Sequence, residues 1–453
     1  MNIDLTPFFA NSGSIAFKDK AIKMPIRDTK PITKDRFLEE WDTLKNTPLN
    51  PPKRLVYIHI PFCATHCKFC GFYQNPIHKH DTEVYTKYLL REMELEVNSP
   101  LVQSTPIHSV YLGGGTPTVL TGDQMARIIS FLKNNYPLAP DCEITIEGRV
   151  LNFDESRMEA YLKAGANRFS IGIQTFDSQI RKKMGRYASK EQAITFIEQL
   201  ASYNLAAIVC DLIFGLPGQT QQSWHEDMQV IKDLPLDGVD LYALSLLPTT
   251  KLFQNVEEKK ITIPSVEDQH NFYKIGAEAL YDYGWTQLSN SHWAKTTRER
   301  NIYNLLIKQG ADYLAYGSGG GGKLSNYSFM LERELTAYYQ ALDNNQKPIM
   351  FMAQSNLPSW QQELQGQTEI GRIDLTKLTD QAELLSPLIE QWYQKGLLTD
   401  NSYCLRLSTS GRFWARNMLP ALQKVLTQIN SSELVEDSEH NKMYKGTSHH
   451  TGM

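Results

Sequence analysis

Residues 57–73 read YIHIPFCATHCKFCGFY, so that Cys63, Cys67 and Cys70 directly follow a short apolar stretch. The spacing of the cysteines is three intervening residues and then two. Thiolates are soft ligands that favour iron–sulfur clusters or zinc. A cubane cluster held by three thiolates leaves one iron without a protein ligand, where a small molecule can bind. The three local cysteines predict such a [4Fe–4S] cluster.

Zinc is the alternative reading of the same stretch. Structural zinc sites usually have four protein ligands, and only three cysteines are local here. His59 or His66 would have to supply the fourth ligand. The apolar residues that frame the cysteines favour the iron–sulfur cluster, because apolar surroundings tune its potential and exclude water.

Composition narrows the class of protein. The chain has 453 residues, 41% of them hydrophobic, with a net charge of −4 and a pI near 6.3, which argues against a general nucleic-acid binder. No apolar run approaches the ~20 residues that span a bilayer, and no signal peptide is evident. We therefore expect a cytoplasmic protein with reduced thiols. Three further cysteines, Cys142, Cys210 and Cys404, are scattered rather than paired.

Short β-rich segments alternate with amphipathic ones along the first half of the chain. The predicted strands are Leu55–Ile60, Ile107–Leu112, Glu143–Glu147, Arg168–Ile173, Ala207–Phe214 and Gly238–Leu244. The predicted helices between them are Glu83–Glu96, Gly122–Asn134, Ser156–Ala164, Lys190–Tyr203 and Ser223–Leu234. This alternation predicts an α/β fold with a parallel sheet, a partial (β/α)6 barrel whose active site lies after the strands.

The remaining segments flank this barrel. We predict an N-terminal arm over 1–54, a core barrel with its extension over 55–325, a mainly helical, winged-helix-like C-terminal domain over 326–430, and a disordered tail over 431–453.

Several motifs follow the predicted strands. Residues 112–118 read LGGGTPT after the second strand, Glu147 ends the third, and Gln174 ends the fourth. With the cysteine motif, these residues make the sequence resemble the radical S-adenosylmethionine (SAM) superfamily. The similarity is to the branch that contains oxygen-independent coproporphyrinogen dehydrogenase, the haem chaperone HemW and the anaerobic haem-utilisation enzymes HutW and ChuW.

The resemblance implies a [4Fe–4S] cluster on the three cysteines, and SAM bound at its open iron. Two SAM molecules are expected, because the matching positions in coproporphyrinogen dehydrogenase hold a second one. The implied cofactor-binding residues are Tyr57, Phe69, Gly114, Gly115, Thr116, Glu147, Gln174, Arg186, Asp211 and Ala243. For Arg186 and Asp211 the alternative is a structural ion pair.

Several features of the sequence indicate the haem-utilisation subgroup. Phe72 stands where the dehydrogenases usually carry a further cysteine, and residues 71–73 differ from the Asp-Phe usual in the chaperones. Residues 148–150 read GRV, and the stretches 290–293 and 317–322 also resemble this subgroup. Arg149 could meet a haem propionate or form a structural salt bridge.

The resemblance thus implies anaerobic haem degradation of the anaerobilin type. Radical attack on the macrocycle, methyl transfer, ring opening to a linear tetrapyrrole and iron release are expected. A flavodoxin or flavin reductase would supply electrons, and a haem-trafficking partner is expected. The alternatives are coproporphyrinogen III dehydrogenase, a haem chaperone and, remotely, a zinc-stabilised interaction protein.

Histidines are the candidate axial ligands of haem. His292 is our choice, and the others are His59, His66 and the pair His449 and His450. The alternative for each is a packed, hydrogen-bonded or solvated side chain.

Overall fold

The computed structural model describes residues 3–21 and 29–445, with side chains up to residue 430. These residues form two compact units. The larger unit is the described part of Arg27–Leu357, and the smaller one combines the described parts of Met1–Ile26 and Pro358–Met453. The division therefore lies near residue 357 instead of at the expected 325, because the hairpin around Ser325 continues the sheet of the larger unit.

Seven parallel strands form the centre of the larger unit. They are β1 Arg54–Ile60, β2 Ile107–Gly114, β3 Leu138–Gly148, β4 Arg168–Gln174, β5 Ala207–Phe214, β6 Gly238–Ala243 and β7 Asp312–Tyr316. Strands β1 to β6 lie side by side in chain order, as the sequence predicts. β7 was not predicted; it adds to the outer side of β1. The partial barrel is confirmed.

Shorter strands extend this sheet to thirteen strands among the described residues. They are Thr29–Pro31, Thr286–Gln287, His292–Ala294, Gly321–Leu324, Tyr327–Leu331 and Ile349–Ser355. A separate two-stranded ladder pairs Phe62–Cys63 with Asn75–Pro76.

Amphipathic helices cover the sheet. In the larger unit they are Phe37–Lys45, Thr82–Glu94, Pro100–Gln103, Gly122–Asn135, Glu155–Ala164, Ser178–Lys183, Lys190–Ser202, Gln221–Asp233, Lys251–Glu257, Val266–Asp282, Ile302–Lys308 and Leu335–Asp343. Capping boxes begin four of them, at Thr121, Ser189, Thr220 and Ser265. These side chains satisfy backbone N–H groups that have no partner within the helix, which fixes where each crossover begins.

The smaller unit is mainly helical. Its helices are Ser359–Ile370, Ser386–Gln394 and Thr409–Lys445, and its three-stranded sheet comprises Arg372–Asp374, Leu398–Asp400 and Cys404–Leu407. The predicted tail falls partly on the last helix, whose backbone continues to Lys445; residues 446–453 lie outside the described residues. No helix in the described ranges is long and apolar enough to cross a membrane.

The glycine-rich run 317–322 follows β7 and packs against β1. The backbone of Gly317 has a φ of 90°, and a Cβ there would lie 2.3 Å from the carbonyl oxygen of His59. The buried carboxylate of Glu92 accepts a 2.8 Å hydrogen bond from the Gly317 N–H and pairs with the ammonium of Lys347 at 2.9 Å. This contact holds the run beside the start of the cysteine segment.

Candidate functional site

The three cysteines project from a short loop after β1. The ladder between Phe62–Cys63 and Asn75–Pro76 closes the base of this loop, and a 3.1 Å bond from the Cys70 N–H to the Cys67 carbonyl turns the chain within it. All three thiols line one cavity of about 330 Å³ at the carboxyl ends of the parallel strands. The loop therefore lies where parallel α/β folds place their chemistry.

Hydrogen-bond donors surround the three sulfur atoms. Arg149 Nη2 donates to Cys67 Sγ at 3.1 Å, the Phe72 N–H lies 3.4 Å from Cys70 Sγ, and Thr116 Oγ1 lies 3.4 Å from Cys63 Sγ. Burial raises the pKa of the Cys63 and Cys70 thiols, so an attached metal is what would keep them deprotonated. The donors suit thiolate ligands with negative charge.

The side chains do not favour a single zinc ion. Within residues 3–21 and 29–430, no three His, Cys, Asp or Glu side chains converge on a point that would hold one metal ion. A cubane instead takes each thiolate on a different iron, so its cysteines are spread apart.

Neither histidine of the zinc alternative is placed as a fourth ligand. His59 is buried against Gly114 and bonded to the Tyr57 hydroxyl, and burial lowers its pKa to about 4. His66 stacks on Tyr73, with ring centroids 4.1 Å apart.

The glycine loop after β2 is fastened to the cysteine loop. The Gly115 N–H donates to the Ile60 carbonyl at 2.8 Å, and the Thr116 N–H donates to the Phe62 carbonyl at 2.7 Å. A Cβ at Gly115 would lie 2.5 Å from the Phe62 oxygen, so this close approach requires glycine.

Glu147 fastens the same glycine loop from the other side. One oxygen accepts the Tyr111 hydroxyl at 2.7 Å, and the other accepts the Gly114 N–H at 3.2 Å. Burial raises the pKa of Glu147, against the effect of these two hydrogen bonds. The carboxylate is thereby held at the cavity wall with a defined orientation.

The end of β4 and the carboxyl half of β5 present polar side chains to the cavity. Gln174 has a φ of 75°, a left-handed backbone that side-chain-bearing residues seldom adopt. Asp211 accepts a 2.9 Å hydrogen bond from Ser170, and burial, together with nearby Asp240, raises its pKa to about 7.

Arg186 reaches the cavity from the segment that follows Ser178–Lys183. Burial lowers the pKa of Arg186 to about 10, and its Nε has no hydrogen-bond partner among the described residues. Its guanidinium lies beside Gly172 and Gln174. The expected alternative, an ion pair with Asp211, is not formed, although both side chains line the cavity.

Most of the predicted site residues meet at this cavity. Those lining it are Cys63, Cys67, Cys70, Phe69, Gly115, Thr116, Glu147, Gln174, Arg186, Asp211 and Ala243. Tyr57 and Gly114 do not line it: Tyr57 stacks with Tyr111 and Tyr303, and Gly114 supports Glu147.

Other lining residues were missed as site residues. Tyr73, Tyr242 and Leu247 also face the cavity. Phe72 does so as well, in agreement with its expected place among the apolar residues that frame the cysteines. Their position after a strand or within the cysteine loop was the available signal, but side-chain direction in loops is not evident from sequence.

The prediction that His292 is a haem ligand is wrong. Its ring is completely buried, with Nδ1 2.8 Å from Asp240 and Nε2 3.0 Å from Glu299. Glu299 pairs in turn with the buried Arg168 at 2.9 Å. Burial alone would lower the pKa of His292, but Asp240 and Glu299 raise it to about 9. We call these four residues the Arg168–His292 network. His449 and His450 lie outside the described residues.

Comparison with known proteins identifies the family. Residues 57–231 match the radical SAM superfamily. The chain is 51% identical over 438 residues to anaerobilin synthase of Escherichia coli O157:H7, a match that covers 96% of this chain and 98% of that protein. The chain is a radical SAM enzyme of the anaerobilin synthase family.

The chain is also similar, at lower sequence identity, to other proteins. The radical SAM chain is 31% identical to the haem chaperone HemW of Buchnera aphidicola subsp. Schizaphis graminum, over 60% of this chain and 71% of that one. The solved structure of coproporphyrinogen III oxidase (HemN) from Escherichia coli shares the fold, with a TM-score of 0.70 at 22% identity, over 86% of this chain and 93% of that one. As a family member, the radical SAM enzyme uses a [4Fe–4S] cluster and SAM.

Proposed function

We propose that this enzyme degrades haem anaerobically, opening the porphyrin to a linear tetrapyrrole with methyl transfer and release of iron. The observation that carries the proposal is the 51% identity with anaerobilin synthase over almost the full length of both chains. The similarity to the haem chaperone HemW is weaker and covers only 60% of this chain.

We assign the cluster to Cys63, Cys67 and Cys70, whose thiols line one cavity and receive hydrogen bonds suited to thiolates. When bound, the cluster and SAM supply a 5′-deoxyadenosyl radical. The carbonyl of Gly115 would face SAM, because the N–H of Gly115 already donates to Ile60. Thr116 would line the same wall, and Glu147 would orient the loop through its bond to Gly114.

Two SAM molecules fit the arrangement of polar groups. Glu147 lies on β3 beside the glycine loop. Gln174 ends β4, Arg186 follows it, and Asp211 lies within β5. Among Gln174, Arg186 and Asp211, the buried Nε of Arg186 has no hydrogen-bond partner among the described residues. A polar atom without a partner beside the cavity supports a second SAM molecule there. One SAM would then serve the radical step and the other the methyl transfer.

The mouth of the cavity suits a flat, largely apolar substrate. Phe72 is 69% exposed and Tyr242 is 40% exposed, and both line the cavity. Exposed aromatic side chains at a cavity mouth provide stacking surface for a macrocycle. Arg149 is less suited to a propionate than expected, because its guanidinium already donates to Thr65 and Cys67.

The test is anaerobic incubation of reconstituted enzyme with haem, SAM and dithionite. We expect loss of the Soret band, release of iron and a bilin-like absorber that carries label from methyl-labelled SAM. Intact haem that passes to an apo-acceptor would instead indicate a chaperone. Conversion of coproporphyrinogen III with haem untouched would indicate the dehydrogenase.

The physiological partners belong to the same proposal. A flavodoxin or a flavin reductase would supply the electrons, and a haem-trafficking protein would exchange substrate or product. A cytoplasmic location, where thiols stay reduced, suits the cluster.

A further inference from the structure

Four lysines belong to three segments that meet at the cysteine loop, and none of the four lines the cavity. Lys68 lies within the loop, its N–H donates to the Met184 carbonyl at 3.2 Å, and its carbonyl accepts the Leu252 N–H at 2.8 Å. These two bonds bring together the end of helix Ser178–Lys183 and the start of helix Lys251–Glu257. Lys182, Lys183 and Lys251 therefore join Lys68 in what we call the outer lysine patch.

The patch is open and its charge is largely uncompensated. Lys182, Lys183 and Lys251 are exposed, and Lys68 is half-buried. Within the described part of the chain, none of the four lies within ion-pair distance of a carboxylate. The nearest acidic groups by sequence are Asp177, which caps the far end of the first helix, and Glu257 and Glu258, which end the second helix. Glu258 pairs with Lys260 and also interacts electrostatically with Lys251 beyond ion-pair distance.

The charge of the patch is a local feature. The whole chain has a net charge of −4, so four adjacent cations do not follow from composition. Such a surface attracts a protein of opposite charge and speeds its association. The support beneath it is rigid, because Phe69 packs on a buried cluster that includes Ile180, Met184, Leu244 and Leu252.

Its place beside the cysteines suggests the kind of partner. Lys68 stands between Cys67 and Cys70, so a protein bound here would be separated from the cluster by one thickness of loop. The cavity on the other side is needed for SAM and substrate, which leaves the outer face for the entry of electrons.

We propose that the outer lysine patch is the docking surface for an acidic one-electron carrier protein. In each encounter the carrier is oxidised by one electron and the cluster is reduced by one. The inference rests on the proposed assignment of Cys63, Cys67 and Cys70 as the cluster ligands. The electron would reach the cluster through the outer lysine patch.

The experiment compares anaerobic holoenzyme with two triple variants of equal charge change. K182E/K183E/K251E reverses the exposed part of the patch and leaves Lys68 in place. K53E/K163E/K308E is the matched control: these residues precede β1, β4 and β7 and so lie at the opposite ends of the strands. A purified flavodoxin is the probe, with dithionite as the small-molecule reductant.

Two quantities are measured: flavodoxin affinity by titration calorimetry, and 5′-deoxyadenosine formation with each reductant. At low salt we expect the patch variant to lose about tenfold or more in both affinity and flavodoxin-driven rate. Its dithionite-driven rate should stay within about twofold of wild type, and the control should match wild type throughout. The wild-type advantage should shrink as salt rises.

Unchanged flavodoxin affinity in the patch variant, or an equal loss in the control, would overturn the docking surface. Failure of the wild-type enzyme to cleave SAM with dithionite would overturn the proposed function instead. The affinity measurement does not depend on SAM cleavage, so the two failures are distinguishable.

Discussion

Two groups of buried polar residues lie within the same barrel. They differ in whether each charged side chain is paired with a side chain of opposite charge. In the Arg168–His292 network, each charged side chain has an opposite charge within about 3 Å. At the cavity, neither Arg186 nor Asp211 forms an ion pair among the described residues, and Asp211 is met only by the hydroxyl of Ser170 among the contacts described. Groups that the fold pairs internally hold the barrel together, whereas groups left unpaired beside open space are available to ligands.

The largest expected effect is the loss of any one proposed cluster ligand. Changing Cys63, Cys67 or Cys70 to Ala should lower 5′-deoxyadenosine formation by more than about 100-fold, with loss of iron and sulfide, because each thiolate holds a different iron. Iron analysis and product chromatography measure this. Cys404→Ala, in the smaller unit, is the control and should retain both. Full iron content in a ligand variant would contradict the assignment.

The network is tested by removing its central cation. In His292→Gln, Asp240 and Glu299 would face each other with only Arg168 nearby, and the free energy of unfolding should fall by about 3–5 kcal/mol. Chemical denaturation measures this, with exposed His225→Gln as the control. A loss of haem binding at unchanged stability would restore His292 as a haem ligand.

The raised pKa of His292 predicts that the free energy of unfolding depends on pH. The pKa of His292 is raised from 6.5 to about 9 in the folded protein. The proton is therefore held more tightly when folded, and the stabilisation is complete below pH 6.5 and is lost as the pH rises to about 9. Wild-type stability should fall across that window, and His292→Gln should lack this component of the slope.

A smaller effect is expected at the cavity wall. Glu147→Gln keeps the shape but removes the charge that accepts the Tyr111 hydroxyl and the Gly114 N–H. Hydrogen bonds to charged groups contribute about 1.5–3 kcal/mol, so SAM affinity should fall by about 10- to 100-fold with iron content unchanged. Equilibrium binding of SAM measures it. Exposed Glu155→Gln should bind as wild type does; equal loss there would point to a general charge effect.

The smallest expected effect concerns the sulfur environment. Arg149→Gln removes the cationic donor to Cys67 Sγ, which favours the more negative, reduced cluster. The potential should become more negative by up to about 60 mV, which corresponds to about 1.4 kcal/mol for one electron. An EPR-monitored redox titration tests this against Arg300→Gln, whose ion pair with Asp141 lies at the amino end of β3.

The sequence alone was enough to predict the six consecutive strands and most of the residues that line the cavity. Parallel strands carry a strong alternating pattern with helices, and residues directly after them must share one edge of the sheet. β7 was missed because it is short and pairs with β1, whose residues lie about 260 positions earlier in the chain. Its neighbouring hairpin also moved the domain boundary beyond the expected one.

His292 shows why the remaining site could not be predicted. A histidine beside tryptophan and glycine-rich segments is compatible with a ligand role. Its neighbours Asp240 and Glu299 come from β6 and from a later loop, and only the folded chain brings them within 3 Å. Likewise, nothing local shows that Arg149 turns back to Thr65 and Cys67, or that Tyr57 turns away from the cavity.

The left-handed backbone at Gln174 has a consequence for evolution and engineering. Glycine tolerates that conformation without the cost of roughly 1 kcal/mol paid by other residues, so Gln174→Gly should relax the backbone while deleting a side chain from the cavity. The same substitution is thus expected to favour the stability of the fold and to reduce the activity of the enzyme. A search for heat-resistant variants would tend to select the change, and a search for active ones would reject it.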